Sequence, residues 1–167
     1  ASDVYKRQVA RDTNTFLKNY LRSQKQTKLI DPIKYGLFPG GKKIRVKILV
    51  DIGKILSVPY RHLIRIGAAI ECIHAYSLIH DDLPCMDDDK FRRGNPSTHM
   101  KFGEASAVLA GNSLLTLAFE IISNKNYQIQ SYRKPDLPKQ TSGSKVQSLD
   151  MKQQKKRTKK QIRKIDQ

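Results

Sequence analysis

An all-α fold follows from three features of the 167-residue sequence. Apolar residues recur at three- and four-residue spacing over long stretches. Glycine and proline clusters break the chain between those stretches. No internal repeat appears, and the one alternating stretch, Ile44-Val46-Ile48-Val50, lies in a segment whose length favours a helix.

The elements follow in order. Val9, Phe16, Leu17, Tyr20 and Leu21 give an amphipathic first helix. Leu37-Phe38-Pro39-Gly40-Gly41 is a breaker, after which KKIRVKILVDIGKIL reads as a second helix. Ser57 and Pro59 form a start signal, a cap and then a first-turn proline. From Tyr60 a helix can run to Asp82, where Pro84 ends it. Its GAAI and AYSLI segments mark it as central. A loop through Asn95-Pro96 leads to a last helix, roughly Gly103 to Ser123, whose ASAVLAG segment permits close helix contact. Beyond Asn124, prolines, an SGS step and KQQKKRTKKQIRKIDQ change the character to polar and basic.

The formal charge of +17 is unevenly spread. Residues 125–167 carry thirteen Lys and Arg against Asp136, Asp150 and Asp166, so that segment holds +10 of the total. Such a tail suits salt-sensitive binding to nucleic acid, a competing reading that no recognised motif supports. Two cysteines, Cys72 and Cys85, are too few for a disulfide framework and indicate a reducing, cytoplasmic setting. ASDVYKRQ lacks the apolar core of a secretory signal, and no run of 18 apolar residues suggests a membrane span.

Residues 78–94, LIHDDLPCMDDDKFRRG, gather five aspartates within nine positions. Adjacent like charges cost on the order of 4 kcal/mol per pair at about 4 Å and an effective dielectric near 20. Clustered hard oxygens suit Mg²⁺, although a solvated acidic loop reads the same way. Upstream, GGKKIR places Lys42 and Arg45 three apart on one helix face, which suits an anion or simply a solvated basic face. His74 lies seven residues before Asp81, two turns along nearly the same face, as an anion ligand or a packed core histidine. Arg92 and Arg93 face an anion or neutralise the aspartates. Together these residues describe two anion sites, one reached through metal and one through direct cations. No classical nucleophile stands out; Ser77, Ser97 and Cys85 read as packing or loop residues.

YSLIHDDLPCMDDDKFRRG resembles the first aspartate-rich motif of the trans-isoprenyl diphosphate synthases, and GGKKIR resembles their GGK(R/K)xR motif. ECIHAYSLIHDD and HMKFGEASAVLAGNSLLTLAF extend the resemblance over roughly residues 10–123, most of all to the bacterial farnesyl diphosphate synthases. The resemblance implies a helical bundle around a central cavity, truncated here in its C-terminal half. It also implies Mg-assisted ionisation of dimethylallyl or geranyl diphosphate and condensation with isopentenyl diphosphate. By position, Asp81 and Asp87 would hold Mg²⁺, with Asp82 and Asp88 supporting them, and Arg92 would contact the allylic diphosphate. Lys42, Arg45, His74 and Arg93 would hold isopentenyl diphosphate. Tyr76, a little over a turn before the first aspartate, would block the cavity floor and stop growth at fifteen carbons. A geranylgeranyl diphosphate synthase is the alternative.

The family's second aspartate-rich motif does not occur in these 167 residues, and Asn112 stands where relatives often carry Asp. The expected organisation is a non-native leader over 1–8, the N-terminal half of a catalytic domain over 9–124, and a basic, incomplete continuation over 125–167. A homodimer is expected of the full-length parent.

Overall fold

The computed structural model describes residues 2–38 and 40–124. In chain order these form α1 (Ser2–Ser23), α2 (Ile30–Leu37), α3 (Ile44–Ile55), α4 (Tyr60–Asp81), β1 (Phe91–Arg92), β2 (Asn95–Pro96), α5 (Thr98–Phe102) and α6 (Glu104–Ser123). The all-α expectation holds, apart from a two-residue antiparallel ribbon pairing Phe91 with Pro96 and Arg92 with Asn95. The basic continuation lies outside the described residues.

The five apolar residues of the α1 stripe are all buried. Thr13 is buried among them, and its hydroxyl donates to the Val9 carbonyl at 2.8 Å, so the polar atom is satisfied within the helix. Near its start, Tyr5 packs against the core with the Lys54 ammonium 3.8 Å from its ring centroid. Helix α2 escaped the sequence reading because Pro32 and Gly36 interrupt it. Pro32 is its third residue, where the missing N–H has no intrahelical partner to lose.

Helix α3 resolves the alternation at 44–50. Val46, Val50 and Gly53 face inward, while Ile44, Ile48, Ile52 and Ile55 form an exposed stripe, a split that only helical periodicity produces. Its end corrects the role expected for Ser57. That residue is left-handed (φ 58°), its amide meets the Lys54 carbonyl, and the Val58 amide meets the Gly53 carbonyl. This is a Schellman closure of α3 rather than a cap of α4, whose N-cap position is Pro59 and which has no side-chain cap.

Helix α4 is the central element, packed against α1, α2, α3 and α6. Small residues let the backbones approach: a methyl group added at Gly67 would collide with Val46 of α3, and one at Gly111 of α6 with His80 of α4. Arg65 of α4 donates to the terminal carbonyls of α6 at Ile121 (2.5 Å), Ile122 (3.1 Å) and Asn124, serving as its C-cap. Helix α6 is long and apolar enough to cross a membrane by composition (20 residues, mean hydropathy 1.6). Core helices share that character, and α6 buries Ala107, Ala110, Gly111, Leu114, Leu117, Ala118 and Ile121. Uncovered apolar surface lies on α3 and on the outer face of α6, at Leu109, Phe119 and Ile122, more than on α4.

The Gly67–Val46 contact gives a direct check. Val46 is fully buried and branched at Cβ, so it has no room to yield. Gly67→Val is expected to destabilise the fold by about 2–3 kcal/mol through overpacking, read as a lowered urea midpoint with an unchanged slope.

Candidate active site

The aspartate run is sorted by backbone geometry at the end of α4. Asp81 closes the helix and Asp82 caps it. The chain then doubles back: the Met86 and Asp88 amides donate to the Leu83 carbonyl (2.9 and 3.1 Å), with Asp88 left-handed (φ 51°). This fold-back brings the Asp87 amide within 2.9 Å of the Asp81 carbonyl. The LPCM spacer thus closes a loop that sets Asp81 and Asp87 side by side, both reachable from solvent.

Asp82 takes a different course. It is buried, and both its oxygens accept from Arg92 Nε at 2.8 Å, with Arg92 Nη2 at 2.5 Å from Oδ1. Hydrogen bonding to Asp82 raises the Arg92 pKa above its ordinary value. Asp82 is therefore engaged with Arg92 through both carboxylate oxygens. Asp88 and Asp89 are exposed, the latter with a carboxylate oxygen 3.7 Å from Arg92 Nη2. Among the described residues no three side chains of His, Cys, Asp or Glu converge as a metal cluster.

The ribbon turns at Arg93 (φ 52°) and Gly94 (φ 79°), two successive left-handed residues of the kind that close tight hairpins. This turn sends the Arg93 guanidinium to the Gly40 carbonyl, Nη1 to O at 2.6 Å. It lies so near Gly41 that a Cβ there would sit 2.8 Å from Nη1. The bare glycine leaves room for that approach, which a Cβ would oblige the end of the Arg93 side chain to adjust.

The basic motif needs a correction too. Helix α3 begins at Ile44, so Lys42 and Arg45 do not share a helix face. Lys43, between them, is left-handed (φ 46°, ψ 44°) and redirects the chain. Lys42, Arg45, His74 and Arg93 nevertheless line one cavity of about 320 Å³, together with Lys43 and Glu71. A second cavity of about 320 Å³ adjoins it, with Leu37, Phe38, Leu78 and Ile79 along one wall and Asp82 and Arg92 at its polar end. Tyr76 is half-buried, stacked edge-on against His80 at 4.6 Å, and lines neither cavity.

Sequence reasoning missed Lys43 and Glu71, whose charged groups meet at 2.9 Å in a buried ion pair. The available signal was Glu71 itself, the one acid of α4 before Asp81, a single turn from His74. Burial depresses the His74 pKa below its ordinary value, and Arg45, Arg93 and Lys43 add to this while Glu71 opposes it. An anion in the cavity would offset those cations. The His74 imidazole is therefore expected to titrate below pH 6.5 in the free chain and to rise on adding inorganic pyrophosphate, followed by its ring proton NMR shift. An unchanged midpoint would show that no anion enters.

Comparison with known proteins follows the same residues. Farnesyl diphosphate synthase of Escherichia coli (strain K12) is 52% identical over 98 residues, 59% of this chain and 33% of the relative. That of Bacillus subtilis (strain 168) is 51% identical over 90 residues, 54% of this chain and 30% of the relative. The chain thus spans about a third of the length of these curated relatives. Among solved structures, an FPP/GFPP synthase from Zymomonas mobilis matches with a TM-score of 0.70 and 40% identity, over 77% of this chain and 47% of that one. A geranyltranstransferase from Thermotoga maritima matches with a TM-score of 0.68 and 36% identity, over 71% and 45%. The polyprenyl synthetase family pattern covers residues 26–165, more than half of the sequence, and the chain belongs to that family.

Proposed function

We propose that the full-length parent of this chain condenses isopentenyl diphosphate with dimethylallyl or geranyl diphosphate to give farnesyl diphosphate. Residues 9–124 would form the N-terminal half of its catalytic domain, with 1–8 a leader and 125–167 a continuation. The carrying observation is that one helix, α4, carries the Asp81–Asp87 pair at its end and, two turns earlier, brings His74 to a cavity also walled by Lys42, Arg45 and Arg93.

The exposed Asp87 and half-buried Asp81 carboxylates fit Mg²⁺, which keeps several waters and completes its octahedron with phosphate oxygens. Bound there, the metal would supply Lewis-acid stabilisation of a departing diphosphate. The remaining work falls to side chains. Breaking the allylic C–O bond sends the electron pair to the diphosphate and leaves a carbocation. The isopentenyl double bond attacks it to form the new C–C bond, and the resulting cation loses a proton, which the departed diphosphate can accept. Arg92 meets Asp82 through Nε and Nη2, which leaves Nη1 to stabilise the charge developing on the leaving group. Lys42, Arg45, His74 and Arg93 would hold the second diphosphate in place, where positioning is the main requirement. The exposed Leu109, Phe119 and Ile122 on α6 support a homodimer, and two free cysteines suit a reducing, cytoplasmic compartment.

Assays with both substrates are expected to give farnesyl diphosphate from the parent with Mg²⁺, none in chelator, and none from the 167-residue chain alone. Metal-independent transfer would overturn the reading. Product length tests Tyr76 separately: in the parent, Tyr76→Ala is expected to yield products beyond fifteen carbons, as resolved by chromatography. An unchanged distribution from a folded variant would place the stop elsewhere.

A further inference from the structure

We infer that Glu71 is a positioning residue, which shapes the cationic cavity by pinning Lys43 into its wall. The inference rests on the anion-site reading above and adds a residue pair to it.

Lys42 precedes the helix and Arg45 sits in its first turn, so nothing in helical geometry makes their side chains converge. The intervening residue does. Lys43 adopts a left-handed backbone conformation, which costs a non-glycine residue on the order of 1–3 kcal/mol and persists only where its surroundings fix it. What fixes it is visible: the Lys43 side chain is 8% exposed, Glu71 is 6% exposed, and Nζ lies 2.9 Å from Oε2. Glu71 stands on α4 one turn before His74, so a single contact ties the loop carrying Lys42 to the helix face carrying His74. Both partners border both cavities, and the pair forms a shared wall between them.

Buried ion pairs seldom repay their desolvation as stability, and registry is their best-attested use. The arrangement also sorts the four cations around the cavity. Lys43 is neutralised by Glu71, so Lys42 and Arg45 are the lysine and arginine beside His74 that an incoming anion would meet.

The two possible roles of Glu71 predict opposite signs. Were it a bystander charge beside an anion site, removing the charge would tighten anion binding. As a positioning residue, its loss frees the Lys43 turn and weakens binding. The 167-residue chain and its Glu71→Gln and Glu71→Asp variants are titrated with inorganic pyrophosphate by calorimetry. Glu71→Gln is expected to bind about tenfold more weakly, the scale on which outer partners of a bound ion act. Glu71→Asp, which retains the charge, is expected to remain within about threefold of the original.

A second measurement reads the pair without any ligand. Under limiting acetic anhydride, mass spectrometry is expected to find Lys43 protected relative to the exposed Lys42, with that protection lost in Glu71→Gln. Equal or tighter pyrophosphate binding by Glu71→Gln would overturn the inference, as would equal reactivity of Lys42 and Lys43 in the original chain. Absence of pyrophosphate binding with Lys43 still protected would refute the anion site itself, and the inference would fall with it.

Discussion

A carboxylate buried at the C-terminal end of a helix is doubly disfavoured, since it has lost water and faces the negative end of the macrodipole. Asp82 occupies that position on α4. It is tolerated because Arg92 meets it with paired hydrogen bonds, and much else depends on that contact. Arg92 lies on β1, so the pair fixes the ribbon against α4. The ribbon's turn presents Arg93, which reaches the Gly40 carbonyl and lies over Gly41. The glycine pair leads to Lys43, which returns to α4 through Glu71. The chain thus makes a closed circuit from α4 to α4, with two buried acids as its anchors and the cationic cavity inside it.

Backbone strain is concentrated on the same circuit. Among the described residues four non-glycine positions have positive φ, and three of them (Lys43, Asp88 and Arg93) belong to the candidate site. Each redirects a functional side chain or loop: Lys43 separates the paths of Lys42 and Arg45, Asp88 closes the loop that sets Asp87 beside Asp81, and Arg93 aims its own guanidinium. Strain of this kind survives where neighbouring contacts over-determine it. Here those contacts are the two buried ion pairs and the amide–carbonyl closures around Leu83.

What the sequence made legible divides along physical lines. The stripe of α1, the span of α4 and the span of α6 were readable, because burial imposes a 3.6-residue period that residue types report directly. Helix α2 was not: eight residues carrying a proline and a glycine give too few turns for a period to emerge. Lys42, Arg45, His74 and Arg93 line one cavity, although the helix face expected to align Lys42 with Arg45 does not exist. Left-handed turns at Lys43 and Arg93 create the convergence, and such conformations leave little mark in a sequence when the residue is not glycine. Asp82 illustrates a related limit. Five similar aspartates in a row carry no label saying which one turns inward, and the choice is made by the distant Arg92.

The abundance of both charges in so short a stretch has a common explanation in this sorting. Arg92 with Asp82, and Lys43 with Glu71, form internally neutral pairs that act as structure. Removing these four from the count leaves Asp81, Asp87, Asp88 and Asp89 in the aspartate run, and Lys42, Arg45 and Arg93 around His74 at the cavity. Had Lys43 and Arg92 been left loose among the remaining charges, the cations would collapse onto the nearest aspartates, since opposite charges at about 4 Å attract by roughly 4 kcal/mol at an effective dielectric near 20. Each pair satisfies one cation and one acid locally and prevents that collapse. Under the proposed function, the acidic and basic groups that remain would each engage a ligand of their own.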